Sequence, residues 1–199
     1  MKVCIFTKNE ILNYGLEIAN FNAQSQARVK RRTNLQRFKL LYGSHPAVYE
    51  AVWKDLQTAP KLRVVVTDPY NDLKGFLIAL HFLKKYGREI DQTSLFGWCD
   101  RKIRDIKWNF VKAIQALKEK KITWPAEWEK DPDGADYGDI PIFLVSVDGV
   151  HCAIQEPQHG AWSKNPEYYS HKFKKSGLAY EVALSVFENR VVSINGPFP

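Results

Sequence analysis

Ile142-Phe-Leu-Val-Ser-Val-Asp148 is a continuous apolar run that ends on a carboxylate, and further on Leu178-Ala-Tyr-Glu-Val-Ala-Leu-Ser-Val186 alternates large apolar with small or polar side chains. The first run predicts a central strand covered on both sides. The second has period two, which predicts a strand with Leu178, Tyr180, Val182, Leu184 and Val186 on its buried face. Phe187-Glu-Asn-Arg190 supplies a turn, and Val191, Val192 and Ile194 return. The expectation is three antiparallel strands, with Asp148 at or near the end of the first.

Upstream of these strands the period changes from two to that of a helix. Residues 129–139 hold Pro132, Gly134, Gly138 and several aspartates, and predict a solvated acidic linker. Asp131, Asp133 and Asp136 invite a calcium reading, but a calcium loop also needs glycine at its sixth position and glutamate at its twelfth. Trp124-Pro-Ala-Glu-Trp128 closes the helical part. Before it, Thr93–Phe96 predicts a short helical turn, Gly97 a left-handed corner, and Asp100 the cap of a long helix carrying Ile103, Ile106, Phe110, Ile114 and Leu117. Short helix, glycine and long helix is the helix-turn-helix layout. The long helix and its tail carry Arg101, Lys102, Arg104, Lys107, Lys112, Lys118, Lys120 and Lys121 against Asp105 and Glu119 alone. A recognition helix needs such charge at its start, so Arg101, Lys102, Arg104, Lys107 and Lys112 are the candidate DNA-binding residues. An ordinary helical hairpin with a basic outer face stands beside that reading.

Two further helices are expected. Ser44 as cap, Pro46 in the first turn, and Val48, Val52 and Leu56 on one face predict a helix that packs. Asp72–Tyr86 predicts another, with Leu73, Phe76, Leu77, Leu80 and Leu83 as its stripe and Gly87 as its stop. The first 39 residues are mixed in pattern and end in Arg28, Lys30, Arg31, Arg32, Arg37 and Lys39, a basic run of the kind that serves nuclear import or contacts phosphates.

Composition sets the outer bounds. Across 199 residues, 45% are hydrophobic and 13% aromatic, which suits a globular chain. Lys and Arg number 29 against 22 Asp and Glu, a net +7 that attracts polyanions. Cys4, Cys99 and Cys152 show no CxxC spacing, so neither a disulfide framework nor a structural zinc site is expected. His151, His159 and His171 match no common zinc pattern. No run is long enough for a signal peptide or membrane span, and a soluble chain in a reducing compartment is expected.

Val147-Asp-Gly-Val-His151, then Glu156-Pro157, then Tyr169-Ser-His-Lys-Phe-Lys-Lys-Ser-Gly-Leu-Ala-Tyr-Glu181, and finally Ile194-Asn-Gly-Pro-Phe-Pro199 resembles the start of the DDE superfamily endonuclease domain of eukaryotic cut-and-paste transposases, in the Harbinger group. The resemblance spans roughly residues 140–199, and the helical region resembles what precedes that domain. It implies a ribonuclease-H-like fold, with Asp148 as the first catalytic and metal-ligating aspartate, Mg²⁺ or Mn²⁺ as cofactor, DNA as partner and the nucleus as location. Such a site uses two or three carboxylates to hold a pair of ions against the attacking and leaving oxygens. The family's second aspartate, a little beyond a segment like Gly196-Pro197, and its distal acidic residue have no counterpart in the chain.

The fold class expected is therefore α/β in the broad sense, α+β overall. A basic region with a packing helix occupies 1–60, a helix-turn-helix-like region 61–128, the acidic linker 129–139 and the first strands of an incomplete ribonuclease-H-like domain 140–199. Three functions stay open: a transposase-derived DNA-binding protein with an inactive catalytic domain, a non-enzymatic DNA-binding or protein-interaction module, and a fragment of an active transposase. In the second, an unfinished sheet pairs its exposed edge with another copy.

Overall fold

The computed structural model describes residues 5–21, 28–58, 68–125, 144–154, 166–188 and 190–198, with the side chains of the second helix described from Arg32 onward. The chain divides into two compact units, Met1–Lys118 and Glu119–Pro199. The first is helical and the second is an antiparallel sheet, so the class is α+β. Among the described residues, no helix is long and apolar enough to cross a membrane.

In the helical unit, α1 (Lys8–Glu17) begins on a capping box. The Thr7 amide donates to Glu10 Oε2 at 2.7 Å and the Glu10 amide to Thr7 Oγ1 at 3.3 Å, satisfying two amides that a helix start leaves unpaired. The second helix, α2 (Arg28–Tyr42), carries the basic run and buries Phe38 and Tyr42. α3 (Pro46–Thr58) starts one residue later than Ser44 capping requires. His45 does the capping, its Nδ1 accepting from the Ala47 amide at 3.2 Å, and Pro46 takes the first helical position. Its buried face is Tyr49, Trp53 and Leu56, while Val48 is exposed.

α4 (Pro69–Lys85) is the hub of this unit. Asp68 caps it by accepting from the Tyr70 amide at 3.0 Å, and every residue from Gly75 to Phe82 is buried. Its predicted stripe holds except for Leu83, which is exposed. Tyr86, with φ +49°, rather than Gly87, makes the left-handed end. α5 (Glu89–Phe96) then turns at Gly97, whose φ of +69° is the conformation expected there, into α6 (Asp100–Ala116). Lys118–Lys121 add a single turn, α7.

Gly75 sets how closely α4 and α6 approach. A Cβ there would lie 2.7 Å from Ile106 Cδ1 and 2.9 Å from Phe110 Cε2, inside normal contact distance. The room lets Phe76 of α4 and Phe110 of α6 meet Trp53 of α3 in one aromatic cluster, with ring centroids 5.4–6.3 Å apart. Helices from both sides of residues 59–67 thus share one hydrophobic core running from Phe6 to Leu117.

The sheet unit contains β1 (Val145–Ala153), β2 (Tyr169–Ser170), β3 (Lys175–Ser185) and β4 (Val191–Phe198), all paired antiparallel. β3 is the centre, with β1 along one side and β4 along the other. This corrects the placing of the first apolar run. β1 pairs with β3 alone among the described residues, and most of its side chains are exposed, including Val147 at 60%. Ile142 and Phe143 lie outside the described residues.

The face predicted for β3 is also corrected. Gly177, Ala183 and Ser185 are its buried residues, while Leu184 and Val186 are 44% and 55% exposed. Period two fixes only that the faces differ. Which one is covered depends on what packs on it, and large side chains do not decide that by themselves. Where a turn is expected at 187–190, the Glu188 amide donates to Ser185 Oγ at 2.9 Å and the Ser185 amide to the Arg190 carbonyl at 3.0 Å, Asn189 lying outside the described residues.

Candidate nucleic-acid interface

The charged residues of α6 separate into groups according to where a 3.6-residue repeat carries them. Ile103, Lys107, Phe110 and Ala113 are buried against the rest of the unit. Arg101, Trp108 and Lys112 recur at intervals of seven and four, which brings them to the side away from that core, and all three are exposed. Arg104 and Lys107 fall on the side toward α5.

Glu89, in the first turn of α5, binds that last pair. Arg104 Nε donates to its two oxygens at 3.1 and 2.9 Å, and Arg104 Nη2 reaches Oε2 at 2.6 Å. Lys107 Nζ donates to Glu89 Oε1 at 3.1 Å, with a side chain only 3% exposed, and lies 4.4 Å from the centroid of the Phe82 ring. The Arg104 hydrogen bonds hold the Glu89 carboxyl at about 2, against an ordinary value of 4.5, with Lys107 helping and burial opposing. One carboxylate thus absorbs two of the five candidate DNA-binding cations. Both positive charges bind α5 to α6, and only Arg101, Lys102 and Lys112 remain without an ion pair among the described residues. The residue that sequence reasoning missed is Glu89, whose partners lie 15 and 18 positions on, beyond any local pattern.

Lys102 turns toward Trp98, in the corner between α5 and α6, its Nζ 3.8 Å from the indole centroid. Lys74 of α4 approaches the same ring, at 4.8 Å. An open cleft of about 400 Å³ lies alongside, lined by Cys99, Arg101, Lys102, Asp105, Ile106 and Asn109. Cys99 is the N-cap of α6 but gives it no side-chain cap, and Asp100, expected to do so, is the first helical residue, its Oδ1 accepting from the Arg101 amide at 2.8 Å.

Asp148 lies in the middle of β1 opposite Val182, not at the strand's end. It is exposed, and its Oδ1 accepts the Gly149 amide at 2.8 Å. Glu181 pairs with Gly149, so strand alternation sends it to the other face of the sheet from Asp148. Among the described residues, no three His, Cys, Asp or Glu side chains come together to hold an ion. The metal pair that the resemblance implies needs two or three carboxylates, and among the described residues Asp148 faces Val182 on β3. Glu156, His159 and the aspartates of 129–139 lie outside the described residues.

The two units define an α+β chain with a basic helix-glycine-helix corner. Comparison with protein-family models, with curated proteins and with solved structures finds no match.

Proposed function

We propose that the chain binds DNA through the start and outer face of α6, and that it is a transposase-derived protein of the Harbinger type acting in the nucleus. The observation that carries the binding is the sorting of charge on α6. With Arg104 and Lys107 both bonded to Glu89, Arg101, Lys102 and Lys112 stay exposed without a carboxylate bound to them among the described residues. A chain of net +7 adds a field that draws in a polyanion. Gly97 makes the corner that a helix-turn-helix uses. The antiparallel β1, β3 and β4, with Asp148 on the first of them, agree with the opening strands of a ribonuclease-H-like sheet.

No catalytic step is assigned, because the residue opposite Asp148 on β3 is Val182 and Glu181 lies on the other face of the sheet. The expected result with Mg²⁺ or Mn²⁺ is no DNA cleavage above background, and cleavage abolished by Asp148→Asn would restore the catalytic reading. The binding itself is tested by fluorescence anisotropy on a labelled duplex across a salt series. Arg101→Gln with Lys102→Gln is expected to weaken binding about tenfold or more and to flatten the salt dependence by about two phosphate contacts. Unchanged affinity in that double variant would sink the assignment.

A non-enzymatic module that pairs through its sheet is the second reading. It rests on β1, paired along one side among the described residues and carrying exposed Val147 and Val150. Sedimentation that shifts with concentration, and is abolished by Val147→Lys, would favour it.

A further inference from the structure

Lys74 and Lys102 come from different helices, yet both ammoniums face one indole. A ring face attracts a cation, but two cations drawn to one ring also repel each other. Lys74 is half-buried, and both burial and the neighbouring Lys102 push its pKa down. No carboxylate bonds to either lysine among the described residues, and Asp105 is the one acidic residue lining the adjoining cleft, against Arg101 and Lys102. Gly75, the residue after Lys74, is where α4 and α6 approach closely, a Cβ there lying 2.7 Å from Ile106 Cδ1. The start of α6, with no side-chain cap from Cys99, adds backbone N–H groups without helical partners at the same place.

We propose that Lys74, Lys102 and Trp98 form an anchor for one phosphate of a bound nucleic acid, the two ammoniums holding the phosphate beside the indole. The anion supplies the charge that the two lysines lack, and α4 thereby contributes to a surface that the sequence assigns to α6 alone. This rests on the reading that α6 meets nucleic acid, and it adds Lys74 and Trp98 to the contact.

The test follows the six tryptophan indole N–H signals of the full chain by NMR, with Trp98 assigned from Trp98→Phe, during titration with a short duplex oligonucleotide and, separately, with inorganic phosphate. Duplex is expected to move the Trp98 signal saturably. Lys74→Gln is expected to weaken duplex binding about 3- to 10-fold and to lower the salt slope by about one, with an unchanged melting temperature as the control for folding. If duplex binds while Trp98 stays still and Lys74→Gln has no effect, the anchor is wrong and the α6 reading survives. If duplex fails to bind but phosphate moves Trp98, and Lys74→Gln removes that shift, the site is real and its ligand is a free phosphate group rather than DNA. If neither moves Trp98, the anchor fails outright.

Discussion

At Glu89 one side chain decides what two others can do. Glu89→Gln leaves the Lys107 ammonium buried against Phe82 with no counter-charge, and is expected to cost about 2 kcal/mol, less than a fully buried pair because Glu89 keeps some exposure. Lys107→Met should cost under about 1 kcal/mol, since Glu89 retains Arg104 and the new side chain suits an apolar site. It should also leave DNA affinity unchanged, and a loss comparable to that of a Lys102 variant would show that Lys107 leaves its pocket to reach DNA. The pH dependence has a definite sign. A carboxyl held at about 2 when folded, against 4.5, stabilises fully above 4.5, and that contribution fades as pH falls toward 2. Denaturant titrations of the native chain and Glu89→Gln should therefore converge in acid. His81 works in a higher window. Burial, with Lys85 adding to it, holds its pKa below 6.5, so the unfolded chain takes up a proton that the folded one resists, and stability falls as pH drops below 6.5. His81→Phe, packed between Tyr42 and Phe96, should remove that slope.

Two glycines near the same corner are needed for different reasons, and substitution separates them. Gly97→Ala meets no atom within 4 Å and is disfavoured only by its φ of +69°, so a cost of about 1 kcal/mol is expected. Gly75→Ala has ordinary helical backbone but collides with Ile106 and Phe110, and should cost about 1–3 kcal/mol while displacing α6 from α4. DNA affinity should drop with the second and hold with the first, as read by anisotropy on folded protein. The sequence made Gly97 legible because a corner is local, written in the residues either side of it. It hid Gly75, whose reason lies on a helix some thirty positions on. The same division runs through the other elements. Helices α3, α4 and α6 are legible from their periods, and α1 was so in principle from Thr7 and Glu10, although the apolar spacing around them is weak. The covered face of β3 was not, because alternation gives two faces and no preference between them. In the candidate interface, exposed Arg101, Lys102 and Lys112 follow from the helix period, whereas Lys74 and Trp98 enter through a tertiary approach that no local spacing encodes.

The two units differ in how they are held together. Among the described residues, the hydrophobic core cluster belongs to the helical one, between Phe6 and Leu117. In the sheet unit the buried hydrophobic residues among those described are Ala183 and Val192, both small, while Val147, Leu184, Val186 and Phe187 stay exposed. Burial of apolar surface is the main favourable contribution to folding, at about 25 cal/mol per Å², so the capacity for independent stability follows that difference. Residues 1–118 alone should show helical circular dichroism and one cooperative thermal transition. They should bind duplex within about threefold of the full chain, the small loss reflecting Lys120 and Lys121. Residues 119–199 alone should instead unfold broadly, or associate as concentration rises, because their exposed apolar side chains and the side of β1 that is unpaired among the described residues gain from a neighbour. A helical fragment that melts without cooperativity would mean that its core depends on the sheet unit. A folded fragment that no longer binds would move the DNA contact out of α6 and into residues 119–199.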